Sequence, residues 1–515
     1  MRMTVPSVDE VLRDGRIDGS NRRIDQELLD ALTDQLPEEY LDGQRRRRWP
    51  EGTSFTGTTF IGDVKFTNAA FSGSSWFGGA TFEGEARFQN AVFEDDASFF
   101  GTRFAGSAWF VDASFGGNAY FSRASFEDST VFDAATFTDT AAFEAARFAE
   151  ARFLGPFIGL SEVLLWDAVF SEAVEIAVAA PVVDANGLQL KKGGTLRVRW
   201  AAVDIANASF AEPTLLTGAE ALPHARWRGG LLEEGELRAR MDIDQSTDGR
   251  PRLVSLRHAN TINLVLGAVD IRRSTFADAR NLDQIRMLPA ARLAVTPGWR
   301  GRWGERRRPA WMLTRRQLIA DEYLWRLRGA RQECQEQCVE ILAGSAPERP
   351  PTRYSGLEAK RHERRAEAAE IAGLYRQLRK SREDSKDEPG AGDFYYGECE
   401  MRRLAPNTPG GERAVLWLYW LVSGYGLRAW RALTALAITI LVFAVLLSSF
   451  GFEPRPSFVD SLLFSAASTS SLFRVPDTPG AELTNGGEFL QIVLRLLGPL
   501  FFGLALLSLR GRAKR

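Results

Sequence analysis

The feature that most constrains this chain is a rhythm of phenylalanines. Phe55, Phe60, Phe66, Phe71, Phe77, Phe82, Phe88, Phe93, Phe99, Phe104, Phe110, Phe115, Phe121, Phe126, Phe132, Phe137, Phe143, Phe148 and Phe153 follow one another at alternating steps of five and six. Nineteen of the chain's 34 Phe keep this one rhythm. Two residues before each Phe stands a small or β-branched residue, most often Ala, as at Ala69, Ala80, Ala86, Ala97 and Ala119. Residues i and i−2 of an extended chain share a face, so each Phe and its small neighbour point inward together. An eleven-residue helical supercoil needs apolar steps of three and four instead. Gly and β-branched residues also disfavour helix here. The rhythm therefore predicts a solenoid of short strands that turns at Gly and polar corners.

The recurring Ala-x-Phe unit, as in Gly79-Ala80-Thr81-Phe82-Glu83-Gly84-Glu85-Ala86-Arg87-Phe88, resembles the pentapeptide-repeat proteins, in the subfamily with alternating spacing. The resemblance implies a right-handed quadrilateral β-helix with the nineteen Phe stacked inside and two eleven-residue units per coil. Residues 51–153 form the regular part of this β-solenoid. At about 4.8 Å between stacked strands, its four to five coils make a rod roughly 20–25 Å long. Burial of each ring contributes about 1.5–3 kcal/mol before the cost of ordering the chain.

The rhythm loosens after Phe153. Leu165, Phe170 and Ile176 keep the spacing, and Ala202–Ala211 echoes Ala268–Ala277. Residues 154–290 are expected to be irregular coils of the same β-helix with long excursions near 212–250. Residues 1–50 read as a polar, mostly helical N-terminal cap. Residues 291–404 form a basic loop and an α-helical juxtamembrane linker, with helical patterns over 314–343 and 356–386. The strings Leu374–Lys380 and Asp393–Arg403 resemble the juxtamembrane helical pair of actinobacterial membrane-anchored pentapeptide-repeat proteins.

Residues 405–515 are expected to form a two-helix transmembrane module. Ala432–Phe450 is uncharged and close to the roughly 20 residues a span needs. Phe489–Leu507 is a second apolar run, broken by Gln491 and Arg495. Trp417, Tyr419, Trp420, Tyr425 and Trp430 precede the first run as an interfacial aromatic belt does. Arg428 and Arg431 flank it, and Arg510, Arg512, Lys514 and Arg515 follow the second, with Arg455 and Arg474 between. The positive-inside rule then places both termini in the cytoplasm, in agreement with the lack of an apolar signal-peptide core near the N-terminus. The expected location is a bacterial inner (plasma) membrane, and the excess of 57 Arg over 7 Lys suits an actinobacterium.

Residues 458–472 are apolar but too short to cross and read as a re-entrant segment. The order of span, short helix, loop and span resembles the pore module of two-transmembrane potassium channels. Asp460–Ser465 and Gly498–Leu506 are the matching pieces. A potassium filter needs rings of backbone carbonyls. Here Ser468-Thr469-Ser470-Ser471-Leu472-Phe473-Arg474 stands in that place, and Phe473 and Arg474 argue against cation conduction, so the pore resemblance is degenerate.

The candidate site residues follow from these segments. Arg495 is a charge inside a span, which is expensive and calls for a partner, with Asp460 or Glu488 in reach of the sequence pattern. Arg495, Asp460 and Arg474 are the membrane candidates. On the rod, Trp76, Trp109 and Tyr120 each precede a core Phe by one residue and so point outward, Trp76 and Tyr120 on one face two coils apart. They are the candidate docking residues. The Arg45–Arg48 run and the 300–316 basic stretch are candidates for lipid headgroups. Cys334 and Cys338 with His362 lack a second close ligand pair. No catalytic, cofactor or metal set stands out.

Charge narrows the partners. The 515-residue chain has a net charge of −2, which speaks against nucleic acid. Residues 51–153 hold 14 acidic and 6 basic residues, a net of −8. The leading expectation is a non-enzymatic, membrane-anchored cytoplasmic scaffold or interaction module, with membrane lipid and an unidentified protein as partners. One alternative is an ion-channel-like homo-oligomer with a cytoplasmic β-helix regulatory domain. Another, implied by the family resemblance, is a DNA mimic that interacts with topoisomerases.

Overall fold

The computed structural model describes residues 6–13, 15–41, 44–150, 153–219, 226–227, 230–231, 234–243, 248–296, 315–326, 367–470 and 482–513. The chain divides into two compact units, Met1–Ala366 and Glu367–Arg515.

In the first unit the five-six rhythm becomes a β-solenoid of about ten turns. Its turns stack into four mainly parallel sheets of nine, four, twelve and eight strands. Most strands of the Phe region have two residues, such as Ala86–Arg87 and Val92–Phe93. Partners lie 22 residues apart, so Phe60, Phe82, Phe104, Phe126 and Phe148 stand in register. Ladder bonds, such as the Phe88 N–H to the Trp109 carbonyl at 2.7 Å, satisfy backbone that is removed from water.

Phe55 through Phe148, eighteen rings, are each at most 2% exposed. Rings of one column stack nearly parallel, Phe88 on Phe110 at 5.0 Å and 1°. Rings of neighbouring columns meet edge to face, Phe88 and Phe99 at 5.5 Å and 85°. Strand spacing sets the first distance, and the ring quadrupole favours the second geometry. The side chain of Phe153 lies outside the described residues.

The two step lengths are two corner geometries. Gly57, Asn68, Gly79, Asn90, Gly101, Asp112, Arg123, Ala134 and Ala145, one every eleven residues, all have positive φ. Each falls in a five-residue step, two residues after its Phe. The tighter corner needs the left-handed conformation, which Gly and Asn adopt at least cost.

The solenoid changes cross-section at residue 153. The four-stranded sheet built from Val64–Lys65, Ala86–Arg87, Ala108–Trp109 and Thr130–Val131 ends there. Later turns have three strands, one of them long: Val174–Ala179 pairs with Gly194–Arg199 and that with Thr214–Gly218. The repeat is now 20 residues, as in Val174↔Gly194↔Thr214. Within the coils expected to be irregular over 154–290, the stretch 174–218 keeps this regular step, while register shifts at Leu154/Phe157 and Val203/Asp204 and the insertion before Arg252 break it. Phe with its corner gives way to alternating aliphatics such as Val174, Ile176 and Val178, which favour one continuous strand over two short ones. The excursion is also shorter than 212–250, because Thr214–Gly218 stays in the ladder. Ala202 pairs with Arg252, so the inserted chain leaves between them. Its helix Glu234–Arg240 sends Leu237, followed by Met241, against Ile158, Ala179 and Trp200.

Residues 1–50 are less helical than expected. The helix Gln26–Asp34 buries Leu28, Leu29 and Leu32 and is capped by Asp25, which accepts from the Leu28 N–H at 3.0 Å. Arg23–Asp25 pairs with Thr59–Ile61, and Gln44–Trp49 pairs with Ala69–Phe71. The segment thus supplies solenoid strands, and Trp49 lies on the Phe71 ring at 5.6 Å. Arg45–Arg48 alternate along a strand, a period-two pattern that the runs of like charge conceal. At the other end, the Asp321 carboxylate accepts from the N–H groups of Phe276 and Ala277 at 2.8 and 3.1 Å.

The second unit is helical. Ala368–Asp384 and Glu388–Leu404 fold back on each other. A Cβ on Gly397 would come within 2.6 Å of the Tyr375 ring, which explains how closely they pack. Gly410–Ser423, Ala429–Leu446 with its π-helical extension to Gly451, Phe458–Ser470 and Asn485–Ala513 follow.

Candidate functional site

Two helices, Ala429–Gly451 and Asn485–Leu506, are long and apolar enough to cross a membrane. They enclose the expected spans 432–450 and 489–507 almost entirely, and Phe458–Ser470 covers most of the expected re-entrant segment. Their polarity is reversed relative to a water-soluble core. Ile438, Val445, Leu463, Phe489, Ile492 and Leu496 are exposed, whereas Ser461, Ser465, Ser468 and Gln491 are buried. Ser461, Ser465 and Ser468 recur at helical spacing on one face of the short helix. The Ser465 hydroxyl donates to the Ile440 carbonyl on the first long helix at 3.0 Å. The hydroxyls of Ser461 and Ser468 and the side-chain nitrogen of Gln491 are buried without a hydrogen-bond partner among the described residues. Leu447, Phe452, Phe464 and Leu494 form the apolar contact that joins the three helices. Gly498 lets the second long helix approach closely, since a Cβ there would lie 2.3 Å from the Thr469 carbonyl oxygen.

Arg495 is partly buried on that second helix. Asp460 is exposed and accepts from the Ser457 hydroxyl at 2.6 Å, so it serves its own helix N-terminus rather than Arg495. Arg474 lies outside the described residues, as do Cys334, Cys338, His362 and most of the 300–316 basic stretch. Arg316, at the end of that stretch, is buried in an ion pair with Glu322. Arg46 is buried, and Arg47 and Arg48 pair with Glu38 and Glu39. Arg46 and Arg316 are thus committed to the protein interior, while Arg47 and Arg48 are paired but part-exposed and Arg45 is exposed.

A polar cluster that the sequence reading missed lies before the first long helix. Glu400 and Arg403 form a buried pair at 2.8 Å. The Tyr425 hydroxyl donates to Glu400 at 3.1 Å. The Arg403 guanidinium lies over the Trp417 and Trp420 rings at 4.5 and 4.9 Å, and Arg431 lies 5.2 Å from Trp420. Burial first, then the Glu400 charge, pushes the Tyr425 phenol well above its usual range. Burial likewise pushes the nearby Cys399 thiol up to about 11. The aromatic belt therefore splits: Trp417 and Trp430 are exposed, but Tyr425 is an internal hydrogen-bond node. Its only signal in the sequence was the i, i+3 spacing of Glu400 and Arg403.

On the solenoid, Trp76 and Tyr120 are outward and exposed on the eight-stranded sheet. Trp109 is half-buried on the four-stranded sheet, a different side. Among the described residues no group of three or more His, Cys, Asp or Glu is placed to hold a metal ion.

A family model described as pentapeptide repeats (9 copies) matches residues 48–91 and 77–125. The chain therefore carries pentapeptide repeats in the part of the solenoid where the Phe columns are most regular. No curated protein and no solved structure matches it.

Proposed function

We propose that this is a membrane-anchored pentapeptide-repeat protein whose solenoid serves as a non-enzymatic scaffold or interaction module on the cytoplasmic side of a bacterial inner membrane. The observation that carries the reading is the reversed polarity of the second unit, with Leu496 and Phe489 outward and Ser461 and Gln491 inward. In water such an arrangement exposes apolar surface at a large cost; in lipid it is the stable one. The excess of Lys and Arg outside the inter-helix loop supports cytoplasmic termini. The solenoid supports the interaction role, because its ladder fixes rows of outward side chains on a stiff support.

The full chain reconstituted in liposomes tests this. The scaffold reading expects alkali-resistant insertion and no ion flux above that of protein-free vesicles. Robust, selective flux overturns it, and extraction by alkaline carbonate overturns the membrane anchor.

A second reading, an ion-channel-like homo-oligomer with the solenoid as its regulatory domain, is favoured by one observation. Ser461, Ser468 and Gln491 bury polar atoms without partners among the described residues, between apolar helices, an environment that wants water or an ion. The same flux assay separates the two readings.

A further inference from the structure

One side of the solenoid carries aromatics that its core does not use. Trp76, Ser98, Tyr120, Ala142 and Leu164 stand in register on the outward face of the eight-stranded sheet, where Ala142 is covered by its neighbours. Phe100 and Trp166 follow two residues after Ser98 and Leu164, at the next corner. Trp76, Phe100, Tyr120 and Trp166 are 45, 48, 37 and 49% exposed. The four rings alternate between two adjacent columns on turns one, two, three and five of this side. With about 4.8 Å per turn and about 6.6 Å between alternate strand residues, successive rings lie roughly 8, 8 and 12 Å apart. The stripe rises about 19 Å along the axis, the reach of about six extended residues.

The stripe sits in negative charge. The five segments 72–79, 94–101, 116–123, 138–145 and 160–167 hold seven Asp or Glu and one Arg. Asp95 and Asp139 are exposed on the corner that precedes the ring columns, and Asp167 is exposed beside Trp166. Partial burial first, then the nearby charges of Asp96 and Asp139, disfavour ionisation of the Tyr120 phenol. The one cation, Arg123, lies over the Phe100 ring at 5.7 Å, so a guanidinium already finds a ring face here. The backbone beneath is held by ladder bonds, including Phe55 N–H to the Trp76 carbonyl at 2.6 Å and Phe99 N–H to the Tyr120 carbonyl at 2.7 Å. The rings are presented with little conformational entropy left to lose.

We propose that this aromatic stripe docks an extended, arginine-bearing polypeptide segment of a partner protein. The inference rests on the scaffold reading and names the surface and partner chemistry for it. Guanidinium groups stack on aromatic faces while carboxylates alongside accept their N–H donors, a combination that an ammonium meets less well. Alternate side chains of an extended segment are spaced to follow the rings along the axis.

The test uses the full chain in detergent micelles and a fluorescent dodecapeptide of alternating Arg and Thr, with Lys–Thr and Glu–Thr peptides of equal length. Anisotropy is expected to show binding of the Arg peptide, about fivefold weaker binding of the Lys peptide and none of the Glu peptide. Trp76→Ala with Trp166→Ala should weaken binding about tenfold while the melting transition stays in place, since both rings lie outside the core. Asp95→Asn with Asp139→Asn should weaken it and flatten its salt dependence. Equal affinity for the Arg and Lys peptides overturns the proposal. So does full affinity in the aromatic double variant, which would mean diffuse charge attraction only, and so does absence of Arg-peptide binding. Failure here with no ion flux in liposomes removes the docking stripe alone, whereas flux removes the scaffold reading whatever the peptide does.

Discussion

Arg403 Nε donates to the Tyr425 hydroxyl at 3.1 Å, and the same hydroxyl donates to Glu400 Oε2 at 3.1 Å. One phenol therefore bridges both members of the buried Arg403–Glu400 pair and fixes the turn before the first long apolar helix to the Glu388–Leu404 helix. Tyr425→Phe removes the bridge but leaves the ion pair, and should cost about 1–2 kcal/mol. Glu400→Gln leaves Arg403 buried without its counter-charge and should cost about 3–5 kcal/mol. Thermal unfolding followed by the fluorescence of Trp417 and Trp420, which flank Arg403, reads both. Equal effects of the two substitutions would show that the pair contributes nothing beyond the phenol.

The same cluster gives an alkaline limit. The Cys399 thiol is raised from 9.0 to about 11 by burial, and Tyr395 and Tyr425 are raised in the same sense, also chiefly by burial. Each group holds its proton in the folded state at a pH where the unfolded chain has lost it. Stability from these groups is thus complete below pH 9 and falls as pH rises from 9 to 11 and beyond. Unfolding midpoints measured between pH 7 and 11 should fall above pH 9, and Cys399→Ala should flatten the first part of that fall. A midpoint that rises with alkalinity would contradict the sign.

Phe99 stacks on Phe77 and Phe121 at 4.9 and 4.8 Å and meets Phe88 and Phe110 edge-on at 5.5 and 5.6 Å. Phe99→Ala should cost about 3–5 kcal/mol. Phe99→Asp adds an uncompensated buried carboxylate and should abolish cooperative folding of the rod. Circular dichroism during denaturant titration separates these outcomes, and an unchanged midpoint in the Asp variant would refute the inward placement.

The left-handed corners offer a paired test of opposite sign. Gly79 has φ +65°, and a Cβ there would meet nothing within 4 Å. Gly79→Ala therefore isolates backbone strain and should destabilise by about 1 kcal/mol. Ala134 occupies the equivalent corner with φ +57°. Ala134→Gly relieves the strain but gives the unfolded chain more freedom, leaving a net gain of about 0.5–1 kcal/mol. Denaturation midpoints of the two variants should move in opposite directions, and movement in the same direction would refute the corner assignment.

The part of the fold that was legible is the part where one residue type repeats one geometry. Phe at steps of five and six carries both the inward column and the corner type, and Gly57, Asn68, Gly79 and Asn90 mark the left-handed corners at every eleventh position. The regular 20-residue step within 174–218 is hard to read because Val174, Ile176, Val178, Leu196 and Val198 share no single identity, although they alternate as a strand should. The Arg45–Arg48 run hides its pairing because the partners of Arg47 and Arg48, namely Glu38, Glu39 and Glu94, come from a hairpin and a later turn. The Glu400–Arg403–Tyr425 cluster was hidden for the same reason: its bonds cross a helix junction, and Tyr425 sits among aromatics that composition alone assigns to a membrane interface.

The far end of the solenoid supplies the last test. Asp321 offers its two carboxylate oxygens to the N–H groups of Phe276 and Ala277, an acceptor where a further strand would otherwise bring carbonyls. An open solenoid end leaves backbone donors unpaired, and each buried unpaired donor costs about 1–3 kcal/mol. Asp321→Ala should therefore lower the stability of the last turns by about 2–3 kcal/mol. Nearest-neighbour coupling makes the loss local, because each turn contacts chiefly the next. Amide hydrogen exchange should quicken at Phe276 and Ala277 while the amide of Phe99, seven turns away by register, keeps its protection. Asp321→Asn retains one acceptor but sets an amide donor against the second N–H, so it should restore only part of the protection. Uniform loss along the whole solenoid in Asp321→Ala would show that the rod unfolds as one unit and that Asp321 holds more than its end.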